Sequence, residues 1–249
     1  MVISRPCPQR NEDMTERKEA KSIAKVTQSN HLVEASYRLE LIEKRVVLCL
    51  LSKIDPRKPL PKKLHLDANE YAAFTGTNEK TAYRDLKAGA LGLVGQVIRT
   101  SDVEKKKGRH QAWMDYVEYY DREGRIEANF SESIKPYITM LAARFTTMPI
   151  DEVARFKSFY AIRIFELLAQ YEKFGKRQFE MNELREILQI GTKQYEKFAD
   201  FRKRVIEPAT EEINEKSIYK VEWEKVTQGR KVTGVAFDFR EKQQLALGI

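Results

Sequence analysis

Apolar residues recur along the chain at two spacings, and the elements they predict occur twice in the same order. Helical spacing predicts long helices over residues 33–54 and 153–174. Alternation of apolar and polar residues predicts a short strand after each helix, around residues 64–66 and 179–181. A short helix, a turn and a longer helix follow each strand in both copies.

The two copies correspond when the sequence is shifted by 115 residues. Asp67, a residue type common at helix N-caps, then corresponds to Asn182, and Gly76 corresponds to Gly191. Glu70 lies three residues after Asp67 and predicts a capping box, while Gly76 is expected to end this short helix. The repeated order predicts two units with the same fold.

The longer helix of each copy begins after the glycine. In the first copy Thr77 can cap a helix predicted for residues 78–93. In the second copy the offset predicts a start at Thr192, whereas Asp200 as a cap predicts a later one, and both remain open. Pro208 is expected to kink this second helix, because it cannot donate a hydrogen bond to the Arg204 carbonyl.

Strand-like segments follow each longer helix. In the first copy they cover residues 95–100, 111–120 and 125–130, with a turn signal at residues 121–124. In the second copy they cover residues 219–226 and 232–239, with a turn around residues 228–230. Helix, strand, helix, turn, helix and hairpin is the order of a winged helix. The predicted fold class is therefore α+β, with two pseudo-symmetric winged-helix domains at 26–147 and 148–249 after a flexible tail at 1–25.

Charge points to a polyanionic partner. The 249 residues carry a formal net charge of +8, and 33% of them are charged, against an average of about 25%. No apolar run approaches the roughly 18 residues that span a bilayer, and the first residues lack the apolar core of a secretory signal. We therefore expect a cytoplasmic protein without a membrane partner.

The sequence lacks the usual signatures of a catalytic or metal site. It contains no phosphate-binding GxxxxGK[ST] loop, and His31, His65 and His110 are scattered without metal-ligand spacing. Cys7 lies in a polar stretch and Cys49 in an apolar one, so no disulfide is expected. A rolling-circle nicking enzyme would need a tyrosine nucleophile and a histidine pair, and the pair is missing although there are 11 tyrosines. We predict a protein without enzymatic activity, cofactor or metal.

Cations on the first longer helix share one face. Lys80, Arg84 and Lys87 have i, i+4, i+7 spacing, and this face lies roughly 130° from the predicted core face, at about 100° per residue. In a helix-turn-helix the second helix enters the major groove, so these residues are candidate DNA contacts. A solvated charged face would have the same pattern, and this alternative stays open.

Three consecutive cations lie on the second longer helix. Its predicted buried stripe is formed by Phe201, Val205, Ala209 and Ile213. Lys203 points nearly opposite this stripe, while Arg202 and Arg204 lie about 100° to either side of Lys203 in an α-helix. The remaining candidate DNA contacts are upstream or at the tip of the second hairpin: Lys193, Lys197, Arg230 and Lys231. Residues 105–107 and Arg109 form either a further contact or a lysine-rich loop.

Several separated segments resemble one known family. They are VTQSNHLVEASY at 26–37, EKR at 43–45, YAIRIFELLAQY at 160–171 and FRKRVIEPATEEIN at 201–214. Together they resemble the iteron-binding plasmid replication initiators of the type found on the F plasmid, over residues 26–241.

The resemblance implies two winged-helix domains and double-stranded DNA with direct repeats at a replication origin as the ligand. It implies that the C-terminal domain makes most base contacts, with Lys197, Arg202, Lys203 and Arg204 on the recognition helix. It also implies an N-terminal domain that contacts DNA and dimerises. Monomers would open the origin, and dimers would bind an inverted repeat and repress the initiator's own promoter. The host initiator and the replicative helicase would be partners.

A transcriptional repressor without a replication role would use the same surfaces. The adjacent DNA separates the two hypotheses. Several direct repeats about two helical turns apart favour an initiator, whereas one palindrome favours a repressor.

Overall fold

The computed structural model describes residues 24–102 and 107–242, with Ser101, Asp102 and Lys107 described by their backbone only. The predicted tail at 1–25 lies outside the described residues except at its end, and Lys105 and Lys106 also lie outside them. Within these ranges, no helix has the length and apolar character needed to cross a membrane.

The first half of the chain forms one winged helix. Its elements are β1 (Lys25–Ser29), α1 (Asn30–Glu34), α2 (Leu41–Leu51), β2 (Leu64–Asp67), α3 (Ala68–Thr75), α4 (Glu79–Leu93), β3 (Val97–Asp102), β4 (Lys107–Ala112), β5 (Met114–Tyr120), β6 (Arg125–Phe130) and α5 (Lys135–Ile138). Helix α4 packs on α2 and α3 and on the antiparallel sheet β2-β6-β5. Strands β3 and β4 form a separate hairpin.

The second half repeats this architecture. Its elements are β7 (Phe145–Pro149), α6 (Ile150–Val153), α7 (Phe159–Ala169), β8 (Lys176–Glu180), α8 (Met181–Ile187), α9 (Phe198–Phe201), a π-helical turn (Arg202–Ile206, the π-turn), α10 (Glu207–Lys216), β9 (Tyr219–Gln228) and β10 (Lys231–Glu241). The sheet order β8-β10-β9 corresponds to β2-β6-β5. The predicted α+β fold with two winged helices is confirmed.

Strand β1 joins the two halves of the chain. Strand β1 pairs antiparallel with β7, from Lys25 opposite Pro149 to Ser29 opposite Phe145. The predicted division between residues 147 and 148 therefore falls inside a strand that is paired with the first half. The domain limits stay a prediction.

The helix predicted over residues 33–54 is wrong, because an extended segment separates α1 from α2. Ser36 pairs with Arg99 of β3 through two backbone hydrogen bonds of 2.9 and 2.8 Å. Glu40 then starts α2 with a capping box to Glu43. Tyr37 and Leu39 are buried although they are not helical. The apolar pattern therefore continues across the break, which is why periodicity did not reveal it.

The helix predicted over residues 153–174 is also interrupted. Ser158 caps α7 by accepting hydrogen bonds from the Tyr160 and Ala161 amides, and α7 ends at Ala169. Phe156 is buried in the preceding connection, so the apolar pattern again passes through a non-helical segment. Likewise the strand predicted over residues 111–120 is two strands in different sheets. They are divided at buried Trp113, whose amide donates to the Gln96 carbonyl.

The first helix-turn-helix follows the sequence closely. Asp67 and Glu70 form the predicted capping box of α3, and Gly76 ends this helix in the left-handed region at φ +70°. Asn78 caps α4 instead of Thr77, since its side chain accepts from the Thr81 amide at 2.9 Å. The turn between the two helices is therefore short.

The second helix-turn-helix departs from the predicted correspondence. Asn182 is not a cap, because Glu180 and Glu183 form the capping box of α8. Gln189, at φ +53°, occupies the left-handed region in place of Gly191. Helix α9 begins at Phe198, so neither Thr192 nor Asp200 is the start. The offset is 113 residues from Gly76 to Gln189 and 119 residues between the N-caps of α4 and α9, so a single offset of 115 is wrong in detail.

The second long helix runs continuously from Phe198 to Lys216 and contains one irregular turn. In this π-turn the Glu207 amide donates to the Arg202 carbonyl, five residues earlier. The kink expected at Pro208 stays a prediction, and the irregularity that the structure shows is this wider turn immediately before the proline. Pro208 itself lies in the first turn of α10, where a missing amide hydrogen is tolerated.

A fully buried ionic network joins the two halves. Glu166 of α7 accepts hydrogen bonds from Lys44 at 2.7 Å, Arg163 at 2.7 Å and Gln28 at 2.9 Å. Burial lowers the pKa of Lys44 to about 8, against the opposing effect of Glu166. Burial also acts to raise the pKa of Glu166, but the Lys44 and Arg163 charges outweigh it and hold this pKa below its ordinary value. Arg163 further donates to the backbone carbonyls of Val33 in α1 and of Ala35 directly after α1.

Candidate nucleic-acid interface

The second recognition helix, which consists of α9, the π-turn and α10, has one buried face and one basic face. The predicted stripe of Phe201, Val205, Ala209 and Ile213 is fully buried, and Ile206 is buried beside it. Arg202, Lys203 and Arg204 are exposed. All three lie within the π-turn, which fits more residues into each turn than an α-helix. Successive side chains are therefore separated by a smaller angle than predicted, and the three cations lie closer to one face.

The π-turn also determines which residue pairs with Glu207. Arg202 Nε lies 3.3 Å from Glu207 Oε1, and the two residues are five apart, as are the residues bonded in a π-helix. Among the described residues, Lys203 and Arg204 form no ion pair within 4.0 Å. Within the described part of the chain, Lys203 and Arg204 are therefore the cations of this turn that remain available to an anion.

The predicted upstream cations lie beside Arg204. A shallow surface depression is lined by Lys193, Tyr195, Glu196, Lys197, Asp200 and Arg204. The structure thus brings together three of the candidate DNA contacts, two from the connection before α9 and one from the π-turn. Two acidic residues in the same depression limit its positive charge.

The two wings differ in charge. Gly229, at φ +60°, turns the β9–β10 hairpin, and the candidates Arg230 and Lys231 are exposed at its tip. The corresponding β5–β6 hairpin turns through Asp121, Arg122, Glu123 and Gly124, a mixed-charge tip. The basic segment containing Arg109 belongs instead to the separate β3–β4 hairpin.

The first recognition helix, α4, is partly bound to its own wing. Lys87 Nζ lies 2.5 Å from Asp121 Oδ1, and this hydrogen bond raises the pKa of Lys87. Tyr83 donates to the Asp121 carbonyl at 2.5 Å. Lys80 and Arg84 are exposed, although Arg84 lies 3.1 Å from the carboxylate of the neighbouring Asp85. The shared face predicted for these cations is present, but Lys87 is engaged by the wing.

Two side chains that sequence analysis missed hold the connection before the second recognition helix. Arg185 of α8 donates to the carbonyls of Gly191 at 2.8 Å, of Tyr195 at 3.1 Å, and of Gln194. Gln189 donates to the Ser36 hydroxyl, which itself donates to the α8 backbone. Gln189 and Ser36 are 153 residues apart, and Arg185 contacts carbonyls 6 to 10 residues later in a segment without regular periodicity, so no local pattern indicates these contacts.

Comparison with protein families identifies the two winged helices. Residues 25–169, more than half of the chain, match the family described as "Initiator Replication protein, WH1". Residues 180–239 match the family described as "Initiator Rep protein, WH2". The chain belongs to the replication initiator proteins.

Individual relatives match this initiator over most of their length. The PI protein of Escherichia coli is 26% identical over 252 residues, covering 86% of this chain and 82% of the relative. An uncharacterized 27.6 kDa protein of Escherichia coli is 26% identical over 208 residues, covering 78% of this chain and 86% of the relative. A crystal structure of the Pi initiator protein in complex with iteron DNA superposes with a TM-score of 0.79 at 24% identity, covering 89% and 98% of the two chains.

Three of the segments that resembled the family have a structural role in this initiator. Gln28 and Tyr37 come from residues 26–37, Lys44 comes from residues 43–45, and Arg163 and Glu166 come from residues 160–171. All five belong to the buried network. These segments therefore explain how the two winged helices are joined, and the candidate DNA contacts lie elsewhere.

Proposed function

We propose that this initiator starts plasmid replication in the bacterial cytoplasm by binding direct repeats in the plasmid origin. The observation that carries the proposal is the exposure of Lys203 and Arg204, without an ion pair in the described chain, on a helix whose opposite face is buried. In a helix-turn-helix this surface enters the major groove, where Arg and Lys donate to guanine. The structural relative was solved with iteron DNA, which supports the same ligand class here.

The remaining candidate cations would hold the DNA backbone. Lys193 and Lys197 lie beside Arg204, and the second wing presents Arg230 and Lys231 to the flanking groove or phosphates. In the first domain, Lys80 and Arg84 would contact adjacent phosphates, and Lys87 would do so only after leaving Asp121. Phosphate contacts fix the register of the protein, whereas base contacts give sequence specificity.

Salt dependence tests the phosphate contacts. If six to ten cations release counterions, affinity for duplex DNA should fall by about 10³- to 10⁵-fold between 50 and 200 mM salt. The measurement is a fluorescence-anisotropy titration of the full chain with the DNA that flanks its gene. A flat response to salt would contradict a nucleic-acid ligand. Direct repeats in this DNA favour the initiator over a dedicated repressor, which would have one palindrome.

Dimerisation through the first domain is the second part of the proposal. Leu91, Val94 and Val97 are exposed by 66%, 62% and 42% where α4 leads into β3, which supports an apolar contact there. Dimers would bind an inverted repeat and repress the initiator's promoter, while monomers bind the direct repeats.

Sedimentation across a range of concentrations should show a monomer–dimer equilibrium that direct repeats shift toward the monomer. A single species under all these conditions would contradict the switch. Origin opening and recruitment of the host initiator and replicative helicase complete the proposed role.

A further inference from the structure

We propose that Pro208 is a positioning residue for DNA recognition: it maintains the π-turn and thereby sets the direction in which Arg202, Lys203 and Arg204 face a groove. The inference rests on the proposed function, since it assigns how the same surface achieves specificity. Pro208 itself is exposed and carries no side-chain group that could form a hydrogen bond with a base edge.

Proline is incompatible with a regular α-helix at this position. Its ring would clash with the carbonyl of Arg204, four residues earlier, and it has no amide hydrogen to donate. The preceding amide, that of Glu207, already donates five residues back, to Arg202. The wider turn therefore interrupts the regular i→i−4 hydrogen-bond register just before the proline. Helix α10 then begins with Pro208 in its first turn.

The first recognition helix provides an internal comparison. Helix α4 (Glu79–Leu93) has no proline and is α-helical throughout. Leu93, the last buried residue of α4, lies 15 residues after the N-cap Asn78. In the second recognition helix, the last buried residue, Ile213, lies 16 residues after the N-cap Lys197. The second helix thus accommodates one extra residue within the same architecture, and the π-turn is where it does so.

Closing the π-turn would change both the direction and the charge of the basic face. In an α-helix, residues three and four apart are neighbours, so Glu207 would lie next to Arg204 and Lys203. In the π-turn Glu207 instead pairs with Arg202, five residues away. The observed register therefore keeps the carboxylate off the two cations that are free for DNA.

The test uses the full chain and a variant that restores the amide hydrogen, Pro208→Ala. Wild-type protein first selects a duplex from a randomised 30-base-pair library, and a scrambled duplex of equal composition serves as the non-specific probe. We expect Pro208→Ala to lower the ratio of selected to scrambled affinity by about 10- to 100-fold, the size of a lost or misdirected base contact. Affinity for the scrambled duplex and its salt dependence should change much less than this ratio, because Pro208→Ala leaves the net charge of the chain unaltered.

Stability separates positioning from a structural role. Pro208 is exposed, so its replacement removes no core packing, and alanine favours a helix interior over proline. The thermal midpoint should therefore be equal to or above that of wild type while discrimination falls. Pro136→Ala, at an exposed proline in the first turn of α5, is the matched control and should leave both quantities unchanged.

The outcomes distinguish this inference from the proposed function. If wild type selects a sequence and Pro208→Ala discriminates equally well, the positioning role is overturned and the function stands. A crystal structure of Pro208→Ala that retains the bond from the Glu207 amide to the Arg202 carbonyl would also overturn it. If wild type selects no sequence, both proposals fail.

Discussion

Replacement of both Lys203 and Arg204 by alanine is expected to abolish sequence-specific protection of the repeated DNA next to the gene while the fold stays intact. Both side chains are exposed and lie in the π-turn, outside the buried stripe of the helix. Each good base contact is worth about 1–3 kcal/mol, so the double variant should lose about 30-fold to 10⁴-fold in specific affinity. The measurement is nuclease footprinting together with titration of the selected duplex.

A matched charge control makes this result interpretable. Lys173→Ala combined with Arg240→Ala also removes one lysine and one arginine, both from exposed positions outside the candidate interface. This control should weaken binding to all duplexes slightly and keep the footprint. Unchanged footprints for the Lys203→Ala, Arg204→Ala variant, with far-ultraviolet circular dichroism like that of wild type, would show that another surface contacts the bases.

Local signals in the sequence were sufficient for the first helix-turn-helix. A capping box at Asp67 and Glu70 and a left-handed glycine at Gly76 act over a few residues, so their chemistry is visible in the sequence. The same holds for the β9–β10 hairpin and for the buried stripe of the second recognition helix, which continues every fourth residue through Val205. Where one local interaction determines a structure, pattern alone predicts it.

The errors arise where a distant contact or a compensating irregularity decides the structure. The break between α1 and α2 depends on the pairing of Ser36 with Arg99, which no periodicity records. The ion pair of Lys87 depends on Asp121, 34 residues away. Pro208 did signal an irregularity, and the structure shows a wider turn just upstream of the proline. These features determine how the cations are arranged relative to one another. The sequence alone therefore predicted which residues form the basic surface better than it predicted their arrangement.

Removal of the Glu166 carboxylate is expected to cause the largest loss of stability. Glu166→Leu leaves Lys44 and Arg163 facing each other in a fully buried site, where both side chains are 0% exposed. An uncompensated buried charge costs about 3–5 kcal/mol, a large part of the free energy of unfolding of a typical domain. The measurement is urea unfolding of the full chain without DNA. Because the network joins residues from β1, α2 and α7, the loss should affect both winged helices together.

A second substitution tests whether unpaired charge is the cause. Lys44→Met in the Glu166→Leu background should recover part of the lost stability, since one of the two buried cations is then gone. Recovery should remain incomplete because Arg163 keeps its charge and its bonds to the carbonyls of Val33 and Ala35. Glu215→Ala, at an exposed glutamate of α10, is the control and should change stability by at most about 0.5 kcal/mol. If Glu166→Leu unfolds at the same urea concentration as wild type, the ionic network is dispensable and the other contacts between the two halves, including the pairing of β1 with β7, are sufficient.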